Sequence, residues 1–218
     1  RFRAGSLPTL LLLDPKQSLL GKIEGFLETD RLIARLDGEL ATYDAFLAAY
    51  RARNPTAQID EIDLWREPLP EFDGDKAAAK MSFFGEGTLD GARRTAWDEI
   101  VAITSRFTSA DDYLFTVPMW NGGIPYRLKL YIDIMTQPGL LFGFDPATGY
   151  SGLLKGKRAT AIYASGVYAP GVPAAFGVDH HSTYFDAWKA PTHWRRFVGI
   201  FRRAADKRAD DPVSLGNT

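Results

Sequence analysis

Along this chain, short apolar runs alternate with longer segments whose apolar residues recur every three or four positions. Thr9 to Leu13 is continuously apolar and is stopped by Asp14-Pro15, the pattern of a central strand buried on both faces. Phe46, Leu47 and Tyr50 fall on one face of a helix spanning 41–53, which Asn54-Pro55 ends. Residues 57–65 place Ile59, Ile62 and Leu64 among acids and predict a second strand near a sheet edge, followed by a solvated loop over 67–75. Trp97, Ile100, Val101, Ile103 and Phe107 mark another helical face. Tyr113 to Val117 and Arg158 to Ala164 are strands, and 182–198 reads as a helix interrupted at Pro191. Strands alternating with helices predict an α/β fold with a doubly wound parallel sheet, order 2-1-3-4-5, in one domain spanning 1–218.

The most informative unit is 113–133. The strand ends at Pro118, and Met119, Trp120, Asn121, Gly122 and Gly123 cannot continue it, because glycines and an amide side chain favour turns. Pro125 suits a first helical turn, where no amide donor is needed. Leu128, Tyr131, Ile132 and Met135 then recur at helical spacing, so the turn sits at the carboxyl end of a strand, where α/β sheets bind ligands. A second loop, Ser165, Gly166, Val167 and Tyr168, also follows a strand directly, and its amides can face the same edge.

Here the chain resembles the flavodoxin-like FMN-dependent NADH-azoreductases and NAD(P)H quinone reductases. The resemblance is carried by Pro118 to Asn121 with Ile124-Pro125, Leu128-Lys129, Tyr131 and Asp133, by Gly139 to Phe144, by Gly152 to Gly156 and by Ala161 to Pro173. It implies an FMN oxidoreductase that takes hydride from NADH or NADPH and passes two electrons to a quinone or azo compound in a ping-pong cycle. The backbone around Pro118, Met119, Trp120, Asn121 and Gly122 would line the isoalloxazine ring, and Ser165 to Tyr168 would meet its polar edge. No catalytic acid or base is required, because the flavin makes the bonds. The resemblance also implies a homodimer in which an aromatic residue of one protomer, with Trp65, Phe72, Phe142 and Tyr150 as candidates, covers the flavin of the other.

Two segments depart from that pattern. After the first strand a phosphate loop is expected, yet Ser18 is nearly the sole hydroxyl there, and 15–44, with Gly21, Gly25 and Gly38, is too long for one loop. At the other end, Phe201 to Asp211 is dominated by Arg, Lys, Asp and Ala, which no buried strand tolerates. Either a short fifth strand survives around 197–201, or the sheet stops at four strands with a charged tail from about 201. These departures support an alternative: a non-catalytic interaction module that has lost FMN. A one-electron carrier is disfavoured by the near-neutral charge.

Composition narrows the chemistry. The net charge of −1 excludes wholesale nucleic-acid binding, and the absence of cysteine removes thiolate metal sites, iron–sulfur clusters and thiol nucleophiles. Redox work therefore needs a bound cofactor. Leu10 to Leu13 is too short to span a bilayer, so a soluble, cytoplasmic protein is expected. Gly21-Lys22 lacks the earlier glycine of a nucleotide P-loop, and Ile23 stands where its hydroxyl would be. His180 and His181 are adjacent, a spacing that suits capping or an interface and not a shared metal. His193, among Trp194, Arg195 and Arg196, reads as part of a solvated helix face.

Overall fold

The computed structural model describes residues 9–13, 43–44, 46–165, 168, 171, 173, 175, 177–192 and 196–203. The main sheet has five strands: β1 Thr9–Leu13, β2 Asp60–Asp63, β3 Asp112–Pro118, β6 Arg158–Ser165 and β7 Arg196–Arg203, with neighbours in the order β2-β1-β3-β6-β7. A separate hairpin pairs β4 Phe142–Asp145 with β5 Gly149–Gly152. The helices are α1 (46–53), α2 Gly74–Ser82, α3 Gly91–Thr108, α4 Tyr126–Met135 and α5 His180–Thr192. Among the described residues, no helix is long and apolar enough to cross a membrane.

Side-chain alternation along β3 builds a layer on each face of the sheet. Tyr113, Phe115 and Val117 pack with Phe107 of α3, Leu128 and Tyr131 of α4, and Phe185 and Trp188 of α5. Leu114, on the opposite face, joins Ile162 of β6 against Phe46, Leu47 and Tyr50 of α1. Outside the first layer, Ala79 of α2, Trp97 and Ile100 of α3, and Ile134 of α4 form a further cluster. The helical faces expected at 46–50, 97–107 and 128–135 are therefore the buried faces observed.

Four sequence expectations are corrected. The sheet is mixed: β3, β6 and β7 are parallel, but β1 runs antiparallel to both β2 and β3. A run of four leucines offers the same apolar pattern read in either direction, so its pattern cannot set strand polarity. The helix expected over 182–198 ends at Thr192, with Pro191 tolerated in its last turn, and 196–203 is a strand. The fifth strand exists and extends to Arg203, because at the rim of the sheet a strand pairs through one backbone edge and need not be apolar throughout. Finally, the loop expected over 67–75 gives way at Gly74 to α2, a helix that the apolar pattern does not predict. Its start is set by Asp73, whose carboxylate accepts from the Lys76 amide at 3.0 Å and caps the helix.

Candidate functional site

β3 and β6 pair in register from Asp112 opposite Arg158 to Pro118 opposite Ala164, so both strands end together. Their following turns consequently emerge side by side at the carboxyl edge. The first is a tight hairpin: Trp120 and Gly123 exchange two backbone hydrogen bonds, of 2.8 and 3.0 Å. Asn121 and Gly122, with φ of 49° and 83°, occupy its centre, the left-handed pair of a type I′ turn. Asn-Gly is the dipeptide this geometry favours, since asparagine tolerates positive φ and glycine has no Cβ to oppose it. The Met119 amide donates to Ala164 O at 2.7 Å, which ties this turn to the end of β6. Among hydrogen bonds between described residues, none uses the Asn121 or Gly122 amide.

An aromatic wall stands beside the turn. Trp120 is 38% exposed, and its ring lies 5.1 Å from that of Trp65, which in turn meets Tyr126 edge-on at 5.1 Å. Trp65 reaches this place because Arg127 of α4 donates to Leu64 O at 2.7 Å and to Glu67 O at 2.5 Å, clamping the 64–67 segment onto the helix that follows the turn. The buried Trp65 Nε1–H has no hydrogen-bond partner among the described residues. Trp65, expected to cover a partner's flavin, thus belongs to the wall of its own chain's turn. Pro125 sits at the N-cap of α4 with extended backbone, one position before the helical turn expected for it.

Below the turn, a cleft of about 850 Å³ opens between α4, α5 and the 71–72 segment. Phe72, Ile124, Tyr126, Leu130 and Tyr184 supply most of its apolar surface. Lys129 at its side is engaged with Asp133 at 2.5 and 2.6 Å and lies over the Tyr184 ring. Two other aromatic candidates are in the hairpin: Phe142 is buried against Tyr150 at 5.4 Å, while Tyr150 is exposed. Exposed Phe144, which sequence reasoning did not single out, packs against Tyr150 and Phe84.

The second loop is anchored at Ser165, whose hydroxyl donates to Tyr168 O at 2.5 Å. Burial and the Asp179 carboxylate raise the pKa of the Tyr168 hydroxyl. His181, 1% exposed, directs Nε2 to Val117 O at 2.5 Å, so that nitrogen carries the proton and Nδ1 is bare. Burial holds its pKa below the usual histidine value, against the opposing pull of the Val117 carbonyl and of Asp179 and Asp186. Because the imidazole stays neutral when folded and gains a proton when unfolded, its contribution is complete above the ordinary histidine pKa and declines as pH falls below it. Tyr163, Asp179 and Asp186 are the other ionisable groups facing it. Between pH 7.5 and 5.5, the urea midpoint of wild-type protein should fall further than that of His181→Gln; parallel slopes would contradict this assignment.

The structure thus brings together Pro118, Met119, Trp120, Asn121, Gly122, Ser165 and Tyr168 at one edge. Ser18, Gly166 and Val167 lie outside the described residues. The strand preceding Ser18 does not end at this edge: Leu13 pairs with Asp112, the first residue of β3. Sequence reasoning left His181 as a generic cap and missed Asp179, although Asp followed by Ser three residues later, ahead of Tyr184, Phe185 and Trp188, carries a helix-start signal.

A family model described as the flavodoxin-like fold matches residues 35–193, which include both turns. The chain belongs to this family. It is 60% identical over 148 residues, 68% of this chain and 72% of the relative, to an FMN-dependent NADH:quinone oxidoreductase of Ruegeria pomeroyi. A protein of the same name from Desulfotalea psychrophila is 44% identical over 65% of this chain and 66% of its own length. Among solved structures, an azoreductase from Bacillus anthracis superposes with a TM-score of 0.63 at 28% identity, covering 73% of this chain and 76% of that one. The antiparallel β1 is therefore a local departure within a flavodoxin-like α/β fold.

Proposed function

We propose that this protein is an FMN-dependent NADH:quinone oxidoreductase that also accepts azo compounds. The observation that carries the reading is the 60% identity to a relative bearing that activity in its name. The site's chemistry agrees: the backbone donors of Asn121 and Gly122, flanked by the Trp120–Trp65 wall, fit a flat ring with a polar edge. FMN, when bound, supplies the hydride and electron-pair chemistry. Pro118, Met119, Trp120, Asn121 and Gly122 would border the ring, and Ser165, Gly166, Val167 and Tyr168 would meet its polar edge. There, backbone donors stabilise negative charge without needing a proton transfer. The aromatic wall excludes water on one side, and the neighbouring cleft gives an apolar entry for a quinone or azo acceptor.

The reading does not require Ser18. With few hydroxyls after β1, phosphate capture should be weakened and part of the FMN should be lost on purification, since each missing hydrogen bond to a charged group is worth about 1.5–3 kcal/mol. We further read the chain as one cytoplasmic domain that works as a homodimer, with the exposed aromatics Phe144 and Tyr150 offered to the partner. The proposed sheet order, counted over the main sheet alone, is the doubly wound 2-1-3-4-5. Cofactor released by heat should run as FMN in chromatography, and the reloaded protein, kept anaerobic, should turn over NADH repeatedly only when a quinone or azo dye is present. Recovery of FAD, or no uptake of FMN at high micromolar concentration, would overturn the proposal.

A further inference from the structure

The turn after β3 is held from behind by the first turn of α5, which also faces Tyr168 in the loop after β6. On one side, His181 Nε2 donates to Val117 O at 2.5 Å, two residues before the Met119 amide that bonds Ala164 O. The imidazole is fixed by its surroundings: its ring meets Tyr163 edge-on at 4.9 Å, and the Tyr163 hydroxyl donates to Asp186 at 2.7 Å. On the other side, the Asp179 carboxylate lies near the Tyr168 hydroxyl, whose pKa burial and that carboxylate raise, while Tyr168 O accepts from Ser165. Asp179 in turn caps α5, accepting from the His181 amide at 3.1 Å, from the Ser182 amide at 2.8 Å and from the Ser182 hydroxyl. The β3 carbonyl of Val117 and the Tyr168 side chain therefore both face the start of α5, at His181 and Asp179.

A histidine that served only as packing would be a costly choice at this place. Among the described residues its buried Nδ1 has no hydrogen-bond partner and lies 3.9 Å from the Asp179 carboxylate, and an apolar side chain of similar size would avoid that penalty. What the imidazole adds is a directional donor to Val117 O. We infer that His181 and Asp179 are positioning residues: His181 holds the end of β3 and Asp179 seats His181 while facing Tyr168, so that the donors of the 119–123 turn are aligned before FMN arrives. The inference rests on the FMN reading for its functional consequence, but the clamp itself acts in the cofactor-free protein.

The test compares His181→Leu, His181→Gln and Tyr168→Phe with wild type by amide hydrogen exchange of the cofactor-free protein, FMN titration and thermal melting. Leucine removes the donor and should accelerate exchange at Met119, Trp120 and Gly123 while leaving the core of α3 unchanged. It should weaken FMN binding about tenfold, the size of one hydrogen bond to a backbone acceptor. Glutamine, which keeps an N–H donor, should restore both readouts to within about threefold. Wild-type exchange and FMN affinity in a folded His181→Leu protein would overturn the inference, as would equal impairment by leucine and glutamine, which would indicate volume alone. Should His181→Leu fail to fold, Tyr168→Phe carries the test: it deletes only the hydroxyl facing Asp179, and unchanged exchange and FMN affinity would again overturn it. If wild-type protein takes up no FMN, the proposed function fails, while the exchange data still decide whether the clamp exists.

Discussion

Replacing Arg158 with methionine is expected to lower the unfolding free energy by about 3–5 kcal/mol, because it removes the bidentate cationic partner of a buried carboxylate. Asp112 is fully buried, and Arg158 grips it with two parallel hydrogen bonds, Nε to Oδ1 and Nη2 to Oδ2, both 2.6 Å. The two residues stand opposite each other at the first rung of the β3–β6 ladder. The pair fixes the register that brings Pro118 and Ala164 level at the other end. Its value lies less in net attraction than in the cost of breaking it from one side. The double variant Asp112→Asn/Arg158→Met should therefore be less destabilised than Arg158→Met alone. Urea unfolding of the three proteins measures this, and a loss under about 1 kcal/mol in the single variant would place the pair among weak surface bridges.

Gly122→Val should weaken FMN binding by roughly 5- to 150-fold while leaving a folded protein. At φ of 83° a β-branched side chain is a severe outlier, and holding it there costs on the order of 1–3 kcal/mol. Nothing in the surroundings forbids the added carbon: the nearest atom to a Cβ at Gly122, the Val178 carbonyl oxygen, is 4.0 Å away. The penalty is therefore one of backbone conformation, and the turn relieves it by abandoning the type I′ geometry. The Asn121 and Gly122 amides then point elsewhere. If that strain appears in binding, FMN affinity falls by roughly 5- to 150-fold. Gly122→Asn, which tolerates positive φ, should fall between valine and wild type. Fluorescence titration with FMN decides the ranking; equal affinities for all three proteins would show that this turn does not touch the cofactor.

Much of this site was legible because its signals are local. Gly122 and Asn121 announce a turn through their own backbone preferences, and Leu128, Tyr131, Ile132 and Met135 announce a helix through their spacing. Together they place a strand, a turn and a helix in order, which is already a ligand-binding corner of an α/β sheet. The helix at 74–82 was passed over because an alanine-rich segment beside a proline-bearing loop has little apolar periodicity of its own; its buried residues, Ala79 and Lys76, do not stand out in a pattern. The hairpin at 142–152 was likewise hidden, since its strands are four residues each and contain glycine.

The sequence by itself determined the positions of most strands and helices, the two turns and the exclusion of thiol chemistry, because backbone preference, side-chain period and the absence of cysteine act without reference to distant residues. Only the tertiary structure decided the direction of β1, since four successive leucines look alike from either end. It alone placed Trp65 against Trp120, 55 positions apart in the chain, through the grip of Arg127 on Leu64 and Glu67. It alone turned His181 from one of two adjacent histidines into the donor to Val117, because a hydrogen bond between residues 64 apart has no trace in local pattern. Local preference specifies which pieces form; burial, and the demand that buried polar atoms find partners, selects how they meet.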